Sequence, residues 1–451
     1  MERNIEALKP GPVFKFFRGY VRFFHDKIFY RKTYVINKEN VPENGTPVIV
    51  TSNHQNCLND PLGLVFSFKE RKVNAMARAD VFKNPIAAKF LRWIGLVPAF
   101  RLMDGEETLG NNGRSFDVIE LELLNGRTII IYPEAGHQDK RWLGDFSLGY
   151  LRMAFNAAEK DNFETEIFIL PSCNHYSRYF SMREELLVKY GTPISLKPFY
   201  ELYKTKPRTA QRNANALVRK QIEELMLNIE DLENYEAIDY IRETYGVEYA
   251  KKSGFDPENL HDKLLSDKQL VKDLDELKQK DEALAKKIYE ETLKLKKGTY
   301  DMNVRDWNFT KPFSLLNTIA KGFGFLLLLP LYIFAMYPFL PMFYAPKAIM
   351  KKNMDPMFIS SLNFGTSVLV TIPLFTIITL VAGTFVFDSF WIALIYLFTL
   401  PFIGLFAWYY RLEFIKWKAE IKFNRLKNSD AVQNLIKTRD GMWDMLRKAL
   451  K

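Results

Sequence analysis

Short apolar runs closed by turn residues fill the first half of the chain, and each predicts a buried strand or the start of a helix. Thr46-Pro47-Val48-Ile49-Val50-Thr51 reads as a short strand with a proline at its mouth. Thr128-Ile129-Ile130-Ile131-Tyr132 reads as a second, and Ile167-Phe168-Ile169-Leu170 as a third that stops at Pro171. The run Leu62 to Phe68 suits the opening of a helix, and Leu96-Val97-Pro98-Ala99-Phe100 is a further apolar run ending at Arg101. Strand signals followed by helix signals place residues 40–205 in the α/β class, a mixed sheet flanked by helices.

From residue 206 the rhythm changes. Leu260, Leu264, Val271, Leu274, Leu277, Leu284 and Ile288 recur at threes, fours and sevens among Lys and Glu. That pattern predicts a charged helical insert over 206–312, a helical hairpin or short coiled coil. Its simplest role is to pack on its neighbours or on a second copy of the chain. Gly254-Phe255-Asp256-Pro257 marks a break between helical pieces.

The C-terminal third is apolar. Gly322–Ala345 and Phe364–Phe387 run 24 residues each without a charge, and Ser389–Tyr410 runs 22. About 20 apolar residues cross a bilayer, so residues 313–410 read as a membrane region. Only Asp388 separates the second run from the third, which predicts a tight helical hairpin. The first run carries Pro330, Pro338 and Pro341 and reads as re-entrant or as a span. The linker 346–363 has three lysines against one aspartate, and the tail 411–451 has eleven Lys/Arg against five acids. Positive flanks stay cytoplasmic, which puts Asp388 on the far face.

Charge and composition refine this division. At 451 residues and 48% hydrophobic, the chain exceeds one ordinary domain. Residues 1–39 hold nine Lys/Arg against four acids, interleaved with aromatics such as Phe14, Phe16, Phe17 and Tyr20. With Lys15, Arg18 and Arg22 beside those rings, the segment reads as interfacial, facing anionic membrane phospholipid. Charges interrupt its apolar run too often for a signal peptide. No nucleic-acid motif accompanies it. With Cys57 and Cys173 as the sole cysteines, no disulfide framework is implied, and a reducing compartment fits.

Candidate chemistry concentrates in Ser52-Asn53-His54-Gln55-Asn56-Cys57-Leu58-Asn59-Asp60-Pro61. The histidine falls at a strand-to-helix turn, and an aspartate six positions on can curl back to one ring nitrogen. Such a bond fixes the tautomer and frees the other nitrogen to take a proton. The plain alternative is a satisfied loop histidine beside a helix-capping aspartate. His137 and His175 match no zinc spacing, so no metal is expected. Cys57 reads as buried and inert.

Four blocks in order argue for more: the His54 block, the run ending in Arg101, Pro133-Glu134-Ala135-Gly136, and the strand ending at Pro171. Together they resemble the glycerol-phosphate and lysophosphatidate acyltransferase superfamily, over roughly residues 45–175. The family's usual spacing would put its aspartate at 59, where this chain has Asn59. The longer spacing to Asp60 resembles yeast-type glycerol-3-phosphate acyltransferases. Ala135 also intrudes into the Pro-Glu-Gly-Thr block. The resemblance implies that His54 is a general base oriented by Asp60, that Arg101 binds a phosphate, and that Glu134 and Gly136 shape the same pocket. Oxyanion donors are expected among backbone N–H groups at the start of the helix after His54. Arg78, Lys83, Lys140 and Arg141 would add positive field.

The implied activity is membrane-bound acyl transfer from acyl-CoA or acyl-carrier protein, as co-substrate, to glycerol-3-phosphate or its 1-acyl form in phospholipid synthesis, with no cofactor. The catalytic domain would then be cytoplasmic. An amino-acid-lipid acceptor would need the same blocks. A non-catalytic lipid-binding membrane protein is the rival from another class.

Overall fold

The structure is a computed structural model describing residues 9–68, 71–99, 112–137, 139–310, 312–340 and 356–450, with Tyr344 and Ala348. The chain divides into two units, residues 1–228 with 353–362, and residues 229–352 with 363–451. Arg101 lies outside the described residues.

The first unit is built on one eight-stranded sheet. Its strands are β1 (Lys32–Ile36), β2 (Val48–Ser52), β3 (Val73–Arg78), β4 (Leu96–Ala99), β5 (Thr128–Ile131), β6 (Phe168–Tyr176), β7 (Glu185–Tyr190) and β8 (Ile194–Ser195). They lie in the order β1-β7-β6-β2-β5-β3-β4, with β8 also on β6. Pairing is parallel except for β6 with β7 and β6 with β8. The sheet is therefore mixed, as its sequence class requires.

Continuous apolar strands arise because both faces are covered. Val48 and Val50 join Leu64, Leu170 and Val188 on one face. Ile49, Ile129 and Ile169 join Leu151, Phe155 and Val218 on the other. Each such side chain contributes about 1.5–3 kcal/mol by leaving water. The helix Pro207–Leu225, which the sequence reading placed in the charged insert, belongs to this second layer through Ala210, Ala214, Val218 and Ile222.

Pro171 does not stop its strand. β6 runs on to Tyr176, with Pro171 where the outer neighbour changes from β8 to β7, so its missing N–H breaks no ladder. Its carbonyl accepts the Gly191 N–H at 2.8 Å.

Helix α1 (Pro12–Phe23) carries the basic aromatic segment. Phe16 stands 78% exposed, whereas Phe14 and Phe17 pack edge-on against Trp93. Arg18 was read as facing lipid. It instead donates to the carbonyls of Val65 (2.9 Å) and Phe68 (2.6 Å) at the end of α2 (Asn59–Ser67), where helix carbonyls lack partners.

In the second unit the helices Leu260–Lys280 and Glu282–Asp301 form the hairpin read from the leucine rhythm, burying Leu264, Leu274 and Ile288. The basic tail joins it. Its helix Asp430–Ala449 buries Val432, Met442, Trp443 and Leu446, and Arg447 forks onto Glu248 at 2.6 and 2.8 Å. Among the described residues, three helices are long and apolar enough to cross a membrane: Leu315–Phe339, Phe358–Phe387 and Phe390–Leu426. The first is continuous through Pro330. Asp388, in the left-handed region at φ 50°, makes the tight turn between the others.

Candidate active site

β2 lies between β5 and β6, so the blocks that follow these strands converge at the carboxyl ends, where open α/β sheets place their sites. After Ser52 the chain turns through His54 and re-forms as α2. Asp60, in the first turn of α2, points back over that turn. Its Oδ2 accepts from His54 Nδ1 (2.8 Å), the Gln55 N–H (2.8 Å) and the Asn56 N–H (2.7 Å). Its Oδ1 accepts from the Tyr176 hydroxyl at 2.6 Å. The carboxylate is sealed from solvent. Burial pushes the Tyr176 phenol up, with the Asp60 charge beside it acting the same way, so it stays protonated and donates.

The His54 side chain is 13% exposed, and its ring lies flat on Tyr132 with centroids 3.9 Å apart. His137 brings a second ring to 4.1 Å. Because Nδ1 carries its proton towards Asp60, Nε2 is the basic nitrogen.

Glu134 follows β5. The resemblance implied that it shapes the substrate pocket, and both its carboxylate oxygens take backbone donors. Oε1 accepts the His54 N–H and Oε2 the Gly144 N–H, each at 2.9 Å. Burial raises this carboxyl, although the two N–H groups favour its charge. The tight turn after it puts the left-handed residue at Ala135 (φ 53°), not Gly136. A Cβ at Gly136 would meet only the Glu134 carbonyl, at 3.8 Å. The left-handed backbone that favours glycine therefore falls at Ala135.

Several other expectations shift. Four of the amides around the start of that helix, where oxyanion donors were expected, are engaged. Those of Gln55 and Asn56 face Asp60, that of Leu58 donates to Ser361 Oγ (2.9 Å), and that of Asn59 to the Asn56 carbonyl (2.9 Å). Asn59 is buried and turns its amide nitrogen to Ser360 Oγ at 3.1 Å. Arg141 is buried rather than part of a surface field, donating to the Tyr176 carbonyl at 3.1 Å with its guanidinium over Tyr179. Arg78 pairs with Asp80 at 2.6 Å, and Lys83 is exposed. Lys140 contributes its carbonyl to Gln55 Nε2 at 2.7 Å. Cys57 and Cys173 are buried thiols. No group of three or more potential metal ligands occurs among the described residues.

The sequence reading missed the polar frame around the turn. Asn53 Oδ1 accepts the Asn174 N–H (2.8 Å) and its amide donates to Gln55 Oε1 (2.8 Å), which also accepts from the Tyr179 hydroxyl (2.9 Å). The density of Asn and Gln around His54 was the available signal. Buried amides demand partners, and such a cluster implies a built network.

Residues 32–174 match the Acyltransferase family. The matched stretch contains His54, Asp60, Arg101, Glu134 and Gly136. No curated protein matches the chain. Among solved structures, the chain is similar to the 1-acyl-sn-glycerophosphate (LPA) acyltransferase PlsC from Thermotoga maritima. That likeness has 19% identity and a TM-score of 0.34, and covers 47% of this chain and 79% of that one.

Proposed function

We propose that the chain is a membrane-bound O-acyltransferase. It moves an acyl group from an acyl thioester, acyl-CoA or acyl-carrier protein, to glycerol-3-phosphate or 1-acylglycerol-3-phosphate. The observation that carries this reading is the 2.8 Å bond from His54 Nδ1 to a sealed Asp60 carboxylate within a stretch that matches the Acyltransferase family. In the reaction, His54 Nε2 takes the acceptor hydroxyl proton as that oxygen attacks the thioester carbonyl carbon. The C–S bond breaks, and the leaving thiolate recovers the proton from the imidazolium. Asp60 stabilises that imidazolium and holds the ring; general-base help of this kind supplies about 10²–10⁴-fold.

Arg101 is the proposed phosphate anchor, since a guanidinium binds phosphate through paired hydrogen bonds. The longer His54-to-Asp60 spacing favours glycerol-3-phosphate as acceptor. Positive flanks of the apolar helices favour a cytoplasmic catalytic unit, where the soluble thioester donors are found.

The test is acyl transfer from labelled acyl-CoA and acyl-carrier protein by detergent-solubilised protein, with each acceptor in turn. Product that disappears in His54→Ala, with folding retained, supports the reading and names the acceptor. No product from any pairing moves belief to an amino-acid-lipid acceptor or to lipid binding without chemistry.

A further inference from the structure

The turn that joins His54 to Asp60 is strained and is held from far along the chain. Cys57, at its centre, sits in the left-handed region at φ 41°, a conformation that persists only where surroundings enforce it. The enforcement comes from the helix Pro356–Thr366, whose first residues belong to the same unit. Ser361 Oγ accepts the Leu58 N–H at 2.9 Å and donates to the Asn56 carbonyl at 3.1 Å, so one hydroxyl staples both sides of Cys57. Next to it, Ser360 Oγ accepts from the Asn59 amide at 3.1 Å.

Both serines are buried, at 1% and 7% exposure, near the start of an apolar helix. Helical serines commonly turn their hydroxyls back to a carbonyl of their own helix. Here both hydroxyls engage the 56–59 turn. From the same helical turn Phe358 sets its ring 5.2 Å from that of His137, which packs on His54. Asn56 is the link to the chemistry: its carbonyl is held by Ser361, and its N–H is one of three donors on Asp60 Oδ2.

We propose that Ser361, assisted by Ser360, is a positioning residue that holds the Asn56–Asn59 turn and through it the Asp60 carboxylate against His54. The proposal rests on the acyl-transfer reading for its catalytic consequence. Its structural half stands on the hydrogen bonds alone. It also makes the site incomplete without the first turn of a helix apolar enough to cross a membrane.

The experiment uses the full chain in detergent with Ser361→Ala, Ser361→Thr and Ser360→Ala. Hydrogen exchange is followed over residues 55–59, alongside kcat and KM for acyl transfer. Ser361→Ala is expected to speed exchange there and to lower kcat about tenfold, the scale of one or two lost hydrogen bonds. KM for the acyl thioester should stay within about twofold, because the serine touches no substrate. Ser361→Thr keeps the hydroxyl and should recover kcat to within about threefold of wild type, and Ser360→Ala should cost less than Ser361→Ala. Unchanged exchange in Ser361→Ala overturns the proposal. So does unchanged kcat, a raised kcat, or an equal loss in Ser361→Thr. Wild-type protein that transfers no acyl group would sink the functional reading, while exchange over 55–59 would still decide whether the serines hold the turn.

Discussion

Asp60 and Asp267 are both sealed from solvent, at 0% and 1% exposure, yet they face different partners. Asp267, in the helical unit, is met by permanent cations, Arg242 at 3.2 Å and Lys263, and Arg242 also pairs with Asp239. Asp60 is met by two backbone N–H groups, a phenol and an imidazole. The Asp267 charge is already met by fixed cations. At Asp60 the partners are backbone amides, a phenol and an imidazole, and in the proposed reaction the carboxylate would stabilise the imidazolium as it forms. Burial alone does not separate the two sites; the identity of the donors does.

The sharpest way to break this comparison is to neutralise both aspartates. Asp60→Asn should lower kcat by about 100-fold or more, since an amide neither stabilises an imidazolium nor enforces the tautomer. Asp267→Asn should leave kcat per folded molecule unchanged but destabilise the protein by about 3–5 kcal/mol, because it leaves buried cations short of a partner. Thermal melts and single-turnover rates read the two effects separately. If both variants lose only stability, the two aspartates do not differ in the way their donors imply.

Tyr176→Phe comes next. It removes the phenol that donates to Asp60 Oδ1 and should reduce kcat about tenfold, with KM little changed.

Glu134→Gln tests the support beneath His54. A carboxylate accepts at both oxygens, but an amide accepts at one and turns N–H donors towards the other backbone N–H. Activity should therefore fall at neutral pH. Burial holds the Glu134 carboxyl above its ordinary range. Such a group contributes stability that is present at acid pH and lost as pH rises through its raised pKa. Melting temperature followed against pH should show that slope in wild type, and it should be absent in Glu134→Gln.

The smallest effect is expected at Ala135, whose left-handed backbone costs about 1–2 kcal/mol, partly offset in a glycine variant by about 0.5–1 kcal/mol of chain entropy. Ala135→Gly should raise the melting temperature slightly and leave acyl transfer intact. A lower melting temperature would mean that the turn is not strained.

Legibility in the sequence followed the range of the interaction. The strand runs at Val48–Thr51 and Thr128–Ile131, the leucine hairpin and the apolar helices were readable because burial imposes a period on neighbouring residues. Pro171 misled because a proline ends a strand only where its N–H is required, and the sequence does not say where a strand changes neighbours.

At the centre of the molecule the same rule divides what could be known. His54 and Asp60 lie six residues apart across one turn, so their pairing was decided locally, by a carboxylate placed to reach back from the first turn of a helix. The tertiary structure alone decided the rest. Tyr176 is 116 residues from Asp60, and Ser361 is 303 from Leu58. These contacts exist because parallel pairing sets β6 beside β2 and because the turn offers unpaired backbone groups that a distant hydroxyl can satisfy. Hydrogen-bonding demand is written into every residue, whereas which partner answers it depends on the order in which strands and helices pack.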